Sequence, residues 1–219
     1  MQSPLSAAQL ELSDTDRARL EKADGLVVEK YAEANLPTKH GKFRIVAFVN
    51  NLDFKEHIAI VNGDVAGKEA VPVRVHSECL TGDVFGSLKC DCGEQLDRAL
   101  DVVADSELGI ILYMRQEGRG IGLANKVKAY SLQDDGMDTV EANLHLGFDD
   151  DLRDYSVAAE MLRLLGPKSI ELITNNPRKV EGLEAEGVEI TERRALKVLP
   201  NPHNVRYLET KRKKSGHLL

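Results

Sequence analysis

Apolar residues alternate with polar ones, or gather in short unbroken runs, in GKFRIVAFVN, HIAIVNG and VPVRVHSE, at positions 41–50, 57–63 and 71–78. Bounded by Asn, Gly and Pro, these runs predict neighbouring strands of an antiparallel or mixed sheet. The period then changes. Leu96, Ala99, Leu100 and Val103 fall at helical spacing between Gly93 and Glu107, and GIILYM at 109–114 reads as a short buried strand after that helix. Further helices are predicted over Gly122–Gln133, Val140–Leu146 and Ser156–Leu165, the last stopped by Gly166 and Pro167. SIELIT, a helix from Pro177 to Glu186, and VEI at 188–190 form a βαβ-like piece that closes the body. The fold class expected from this order is α+β: a mixed, mainly antiparallel sheet flanked by helices, in a single domain.

Residues 1–30 read instead as a polar N-terminal extension with one short helix in DTDRARLEKADG, capped by Ser13 or Asp14, which leaves 31–219 as the folded domain. The basic run in ETKRKKSGHLL reads as the solvated end of a helix. No internal repeat or composition break marks a second large domain. The formal charge of −7 argues against a nucleic-acid surface, which needs a basic face, while leaving room for a small polyanion held by a few focused Arg or Lys. No stretch approaches the roughly 20 apolar residues that cross a bilayer, and no signal core opens the chain. The expectation is a soluble, cytoplasmic protein with neither nucleic-acid nor membrane partners.

Cysteine usage carries the first chemistry. The chain has 3 cysteines, Cys79, Cys90 and Cys92, all within RVHSECLTGDVFGSLKCDCGEQL. An odd number, with two of them one residue apart and no secretory signal, does not make a disulfide framework. Lys89, Asp91 and Gly93 around the close pair do not resemble core. Three thiolates around zinc leave a fourth position for water or substrate, the arrangement of a catalytic rather than a structural site. Sulfur ligands alone do not separate zinc from another soft metal or iron, and His76 offers a fourth ligand.

Other groups cluster in loop-like positions. In MRQEGRGIGLANK, Gly118, Gly120 and Gly122 surround Arg119 between a strand and a helix, where backbone amides can approach an anion. Arg74, Arg153, Arg178 and Lys179 would suit a triphosphate if they converge. His76 and Glu78 form an H-x-E pair like that of zinc nucleobase deaminases, but the later pair is Cys90-Asp91-Cys92, without the Pro or the two-residue gap of that pattern. Asp151 and Arg153 share one side only in extended backbone, so their joint use predicts a non-helical loop ahead of DYSVAAEML.

Together, RVHSECLTGD, SLKCDCGEQL, RQEGRGIGL, DTVEANLHLGF and TNNPRK closely resemble GTP cyclohydrolase II, in order, from about Leu36 to the terminal GHLL. The resemblance implies a monofunctional form, without a dihydroxybutanone-phosphate synthase half. It implies one Zn2+ per chain on Cys79, Cys90 and Cys92, Mg2+ with the phosphates, and a homodimer. Arg74, Val75, His76, Ser77, Glu78, Gln95, Glu117, Gly118, Arg119, Thr139, Thr174 and Lys179 match GTP-contacting positions. Asp151 matches the proton acceptor, Arg153 the nucleophile, and Tyr130 a catalytic tyrosine near the base. The implied reaction converts GTP to 2,5-diamino-6-(5-phosphoribosylamino)pyrimidin-4(3H)-one, formate and pyrophosphate, the first step of riboflavin biosynthesis. The metal would lower the pKa of a water directed at C8 of guanine. A guanidinium with a pKa above about 12 is a poor nucleophile, so a covalent role for Arg153 needs desolvation and Asp151 as base; the alternative is that Arg153 only stabilises charge at phosphorus.

Overall fold

The computed structural model describes residues 14–149 and 151–218. In chain order the elements are α1 (Asp14–Lys22), β1 (Val28–Pro37), β2 (Lys42–Asn50), β3 (His57–Asn62), β4 (Val71–Ser77), α2 (Leu80–Asp83), α3 (Cys92–Asp105), β5 (Gly109–Met114), α4 (Leu123–Asp134), α5 (Thr139–His145), α6 (Ser156–Leu165), β6 (Ile170–Ile173), α7 (Pro177–Ala185), β7 (Ile190–Arg194) and α8 (Val205–Lys214). The expected capping position Ser13 lies outside the described residues.

The strands form one seven-stranded sheet in the order β1-β2-β3-β5-β4-β6-β7. Pairings of β1 with β2, β2 with β3 and β3 with β5 are antiparallel, whereas β5 with β4, β4 with β6 and β6 with β7 are parallel. The sheet is therefore mixed but not mainly antiparallel, and β3 and β4 are not neighbours, because β5 lies between them. Crossover helices α3 and α7 account for the difference: each returns the chain to the edge where the preceding strand began, so the following strand must run parallel.

Alternation along the strands sends residues to two faces. Ile110, Leu112 and Met114 join Val46, Phe48, Val73 and Val75 beneath α6, where Val157, Met161 and Leu162 are buried. Ile111, Phe43 and Ile173 face the other way, against Ala99 and Val103 of α3. The strand β1 is mostly exposed, and its sequence VEKYAEANLP offers no apolar period by which to find it. It begins at Val28, so the expected boundary at residue 30 falls inside a strand. The α1 helix is not detached from the body: Leu20 is buried against Val49.

Candidate active site

The adjacent parallel strands β5, β4 and β6 end on the same side of the sheet, at Met114, Ser77 and Ile173. The carboxyl ends of such strands form a crevice that open α/β sheets use for ligands. Three loops meet there.

The loop after β4 carries Cys79 into the short helix α2. Asp83 closes this turn: its Oδ2 accepts the Cys79 backbone N–H at 2.9 Å and the Tyr113 hydroxyl at 2.9 Å. His76 Nε2 stands 3.1 Å from Oδ1 and Oδ2 of the same carboxylate. Cys90 and Cys92 arrive at the start of α3. The Cys79 and Cys90 sulfurs are 3.7 Å apart, and all three Sγ atoms lie within 4.8 Å of one another. A tetrahedral thiolate set with metal–sulfur bonds of about 2.3 Å needs sulfurs about 3.8 Å apart, so the cluster fits such an ion. His76, expected as an optional fourth ligand, is drawn to Asp83 and does not belong to this cluster.

Glycine makes the cluster possible. A Cβ on Gly82 would stand 2.8 Å from Cys90 Sγ and 3.2 Å from Cys79 Sγ, and one on Gly93 would stand 2.4 Å from the Gly82 carbonyl oxygen. Hydrogen bonds from the other two thiols, together with the Lys126 ammonium, hold the Cys79 thiol well below its ordinary range, and the hydrogen bond with Cys79, aided by burial, pushes Cys90 up to about 11. A soft divalent cation would let all three sulfurs ionise together. Lys126 Nζ donates to Cys79 Sγ at 3.0 Å and to Glu117 Oε1 at 2.8 Å. Burial alone would lower this ammonium, but the Glu117 hydrogen bond and the Cys79 charge outweigh it and raise it.

After β5 the chain makes a tight turn over Glu117–Gly120 in which Gly118 and Arg119 take consecutive left-handed conformations, φ 62° and 61°. Such a backbone costs a non-glycine residue about 1–2 kcal/mol. Glu117 offsets this strain by accepting the backbone N–H of Leu80 at 2.7 Å and of Gly118 at 2.9 Å, which ties the turn to the cysteine loop. The Arg119 carbonyl accepts the Leu152 N–H at 3.0 Å. That contact fastens the turn to the loop holding Asp151 and Arg153, which is non-helical as expected. Arg153 grips Asp151 with Nε at 2.7 Å and Nη2 at 2.5 Å, and its Nη1 reaches Ser77 Oγ at 3.5 Å. Burial opposes both charges, but the bidentate contact prevails: Asp151 is held below the usual carboxylate range and Arg153 above its ordinary value.

The third loop follows β6. Asn176 caps α7 by accepting the Arg178 N–H at 3.1 Å, with Pro177 in the first turn. Buried Lys179 donates to the Val75 carbonyl at 2.6 Å. Burial, then Arg74 and Arg153, push the Lys179 ammonium well down. Arg74 donates to the Ile173 carbonyl at 3.0 Å and to Gln95 Oε1 at 2.5 Å, and burial lowers its guanidinium to about 10.

These loops enclose one pocket of about 1050 Å³ of empty space, including solvent at its mouth. Of the expected set, Cys79, Cys90, Cys92 and Tyr130 line it, and Arg74, Arg119, Arg153 and Lys179 bring cations to it. His76, Ser77, Glu78, Gln95, Thr139 and Thr174 also face it, as do Glu117 and Gly118. Val75 does not: its side chain is in the core and only its carbonyl serves the site. Asp151 stands behind Arg153, and Arg178 Nη1 stands 3.7 Å from Asp151 Oδ2. Tyr130 hydroxyl is 3.2 Å from Thr81 Oγ1, which is 3.6 Å from Cys79 Sγ.

Among the pocket residues that sequence reasoning missed are Lys126, Tyr207, Lys211 and His217. The basic tail is not wholly solvated, since Lys211 is buried in an ion pair with Asp91 at 2.7 Å. Its only sequence signal is the spacing of Tyr207 and Lys211, one helical turn apart, with the ammonium 4.4 Å from the ring centre.

Among the described residues no helix is long and apolar enough to cross a membrane. The sequence profile of the GTP cyclohydrolase II family matches residues 29–195. The riboflavin biosynthesis protein RibBA of Bacillus subtilis (strain 168) is 56% identical over 194 residues, covering 88% of this chain and 49% of that protein. RibBA of Endomicrobium trichonymphae is 54% identical over 192 residues, covering 88% and 48%. The chain thus spans about half the length of the curated relatives it matches. A solved two-domain 3,4-dihydroxy-2-butanone 4-phosphate synthase from A. baumannii aligns at a TM-score of 0.43 and 18% identity, over 83% of this chain and 43% of that one, too distant to bear on fold or function.

Proposed function

This chain belongs to the GTP cyclohydrolase II family, and on that premise we propose that it hydrolyses GTP to 2,5-diamino-6-(5-phosphoribosylamino)pyrimidin-4(3H)-one, formate and pyrophosphate. The observation that carries the reading is a single pocket with a three-sulfur cluster among its walls and a group of buried cations facing the same space. Opening a guanine ring and severing a triphosphate require those two kinds of chemistry in one site.

Cys79, Cys90 and Cys92 would hold the metal, read as zinc. When bound, zinc supplies a Lewis acid that brings the pKa of a water toward neutrality. The chain's own residues do the rest. Glu117 and Lys126 fix the Cys79 turn, and Asp83 fixes it from the opposite side while holding His76. Burial raises the Tyr130 hydroxyl, so it stays protonated near neutral pH and can donate toward the opening ring or orient a water there.

At the phosphate end, Arg74, Arg119 and Lys179 would bind the triphosphate, with Ser77 and Thr174 as neutral partners, and Mg2+ would supply further neutralisation of its charge. Arg153 acts as a charge stabiliser at the α-phosphorus. Its Nε and Nη2 are both engaged by Asp151, and that pairing strengthens its hold on its proton, which leaves no lone pair for attack. Asp151 thereby orients the guanidinium rather than deprotonating it. The homodimer and the cytoplasmic setting are proposed with the rest.

Incubating the zinc-loaded protein with GTP tests the reading. Formate and pyrophosphate are expected in equal amounts, together with a product mass lacking the formyl carbon. Pyrophosphate without formate would overturn the complete reaction.

A further inference from the structure

Asp91 occupies the cap position of α3, where an aspartate ordinarily accepts the helix's own first N–H groups. It caps nothing. Its carboxylate is buried and turned elsewhere: Oδ1 accepts Lys211 Nζ at 2.7 Å, and Oδ2 accepts Gln95 Nε2 at 2.5 Å. Gln95 passes the contact on, since its Oε1 accepts Arg74 Nη2. Lys211, Asp91, Gln95 and Arg74 thus form one buried chain that runs from α8 behind the cysteine pair to a cation of the pocket.

Residues 196–218 lie beyond the span matched by the family profile, yet they are fastened to the site at several points. Asn204, fully buried, reaches the Cys90 carbonyl through Nδ2 at 3.4 Å. The end of α8 is tied to α5 through Lys214, which pairs with Asp138 and, at 3.0 Å, with Glu141. The segment after the helix is tied to the β6 loop, where the Leu218 N–H donates to the Asn175 carbonyl at 2.9 Å.

We propose that Lys211 is a positioning residue for the metal cluster: through Asp91 it fixes the turn that presents Cys90 and Cys92, and through Gln95 the orientation of Arg74. The inference rests on reading the three cysteines as a metal site. Asp91 is the only residue between two ligands, so its rotation would carry both sulfurs with it. The partner that stops this rotation comes from α8, 120 positions away in sequence.

The test measures zinc(II) binding to the full chain by competition with a chromophoric chelator, alongside the KM and kcat for GTP. Outer partners of metal ligands typically contribute about 10–100-fold in affinity. K211M and D91N are each expected to lose zinc affinity in that range and to raise KM for GTP, and the double variant to lose no more than the worse single one. K211R should recover part of the affinity, and K213M, on the exposed face of α8, should match the parent. Should K211M fail to fold around an unpaired Asp91, the charge-neutral double and K211R carry the comparison. A double variant that binds zinc as tightly as the parent overturns the inference alone. A parent that binds no zinc overturns the metal reading and this inference with it.

Discussion

At Gly82 a hydrogen stands where any other residue would drive a carbon into the cysteine cluster, 2.8 Å from Cys90 Sγ. Gly82→Ala is therefore expected to weaken zinc binding by about tenfold or more while the protein still melts cooperatively, measured by chelator competition and thermal scanning. Cys90→Ser should abolish formate release and keep the fold, because the larger hydrophobic cluster contains none of the cysteines; unfolding instead would make the metal structural. Arg153→Ala should slow turnover by about 10²–10³-fold, the usual cost of removing one preorganised charge donor. Acid-quench trapping should find no phosphorylated enzyme in the parent; its recovery there, and not in the variant, would restore the covalent role. The cysteines were legible because their spacing has few other uses. Lys126 and Lys211 were not, since a lysine on the polar face of a helix looks the same whether it meets water or a buried carboxylate.

Among elements, the turn from β2 to β3 makes a pH prediction. Asn50 Oδ1 accepts the Leu52 N–H at 2.9 Å, Asp53 Oδ1 accepts the Lys55 N–H at 3.0 Å, and His57 Nε2 lies 3.4 Å from the same Asp53 oxygen. Burial works against the Asp53 charge, but His57, the Lys55 N–H and Asn50 Nδ2, which donates to Asp53 Oδ1 at 3.0 Å, prevail and lower it from 3.8 to about 2. A depressed carboxylate stabilises the fold above its unfolded value and loses that contribution as pH falls toward its folded one. The window is therefore between about 4 and 2, and the amount at most on the order of 2 kcal/mol. Urea midpoints at pH 5 and pH 2.5 should converge for parent and Asp53→Asn at the lower pH; an equal gap at both would refute it. Helices α3, α4, α5, α6 and α7 were legible from their period and stops, α6 to the residue. Strand order was not: a strand's neighbours depend on the path of α3 and α7, and the gap from 63 to 70 reads like a hairpin loop although β5 intrudes.

For the molecule as a whole, the two halves of the sheet do different work. Both halves contribute core, but only the parallel half supplies the strand ends that carry the site, and the larger core cluster contains none of the cysteines, so metal should be needed for chemistry and not for folding. Chelation is expected to eliminate formate release, leave helical circular dichroism unchanged and lower the melting temperature by no more than roughly 5–10 °C, the scale of losing a ligand held at about a hundred times its Kd. Collapse of the spectrum on chelation would contradict the division. The sequence suggests that the basic tail is the solvated end of a helix, whereas α8 completes the pocket, and only packing reveals that.

The crowding of Arg74, Arg153 and Lys179 has a last consequence for the direction of turnover. Arg153 has Asp151 as its counter-ion, but Arg74 and Lys179 rest in part on backbone carbonyls, so on the proposed reaction the triphosphate would complete the charge balance and act as a structural ion as well as a reactant. On the proposed reaction it arrives as one large anion and departs as three smaller ones, pyrophosphate, the phosphoribosyl product and formate, each balancing only part of that charge. The grip that admits GTP loosens by the act of cleaving it, and release of the products needs no separate trigger.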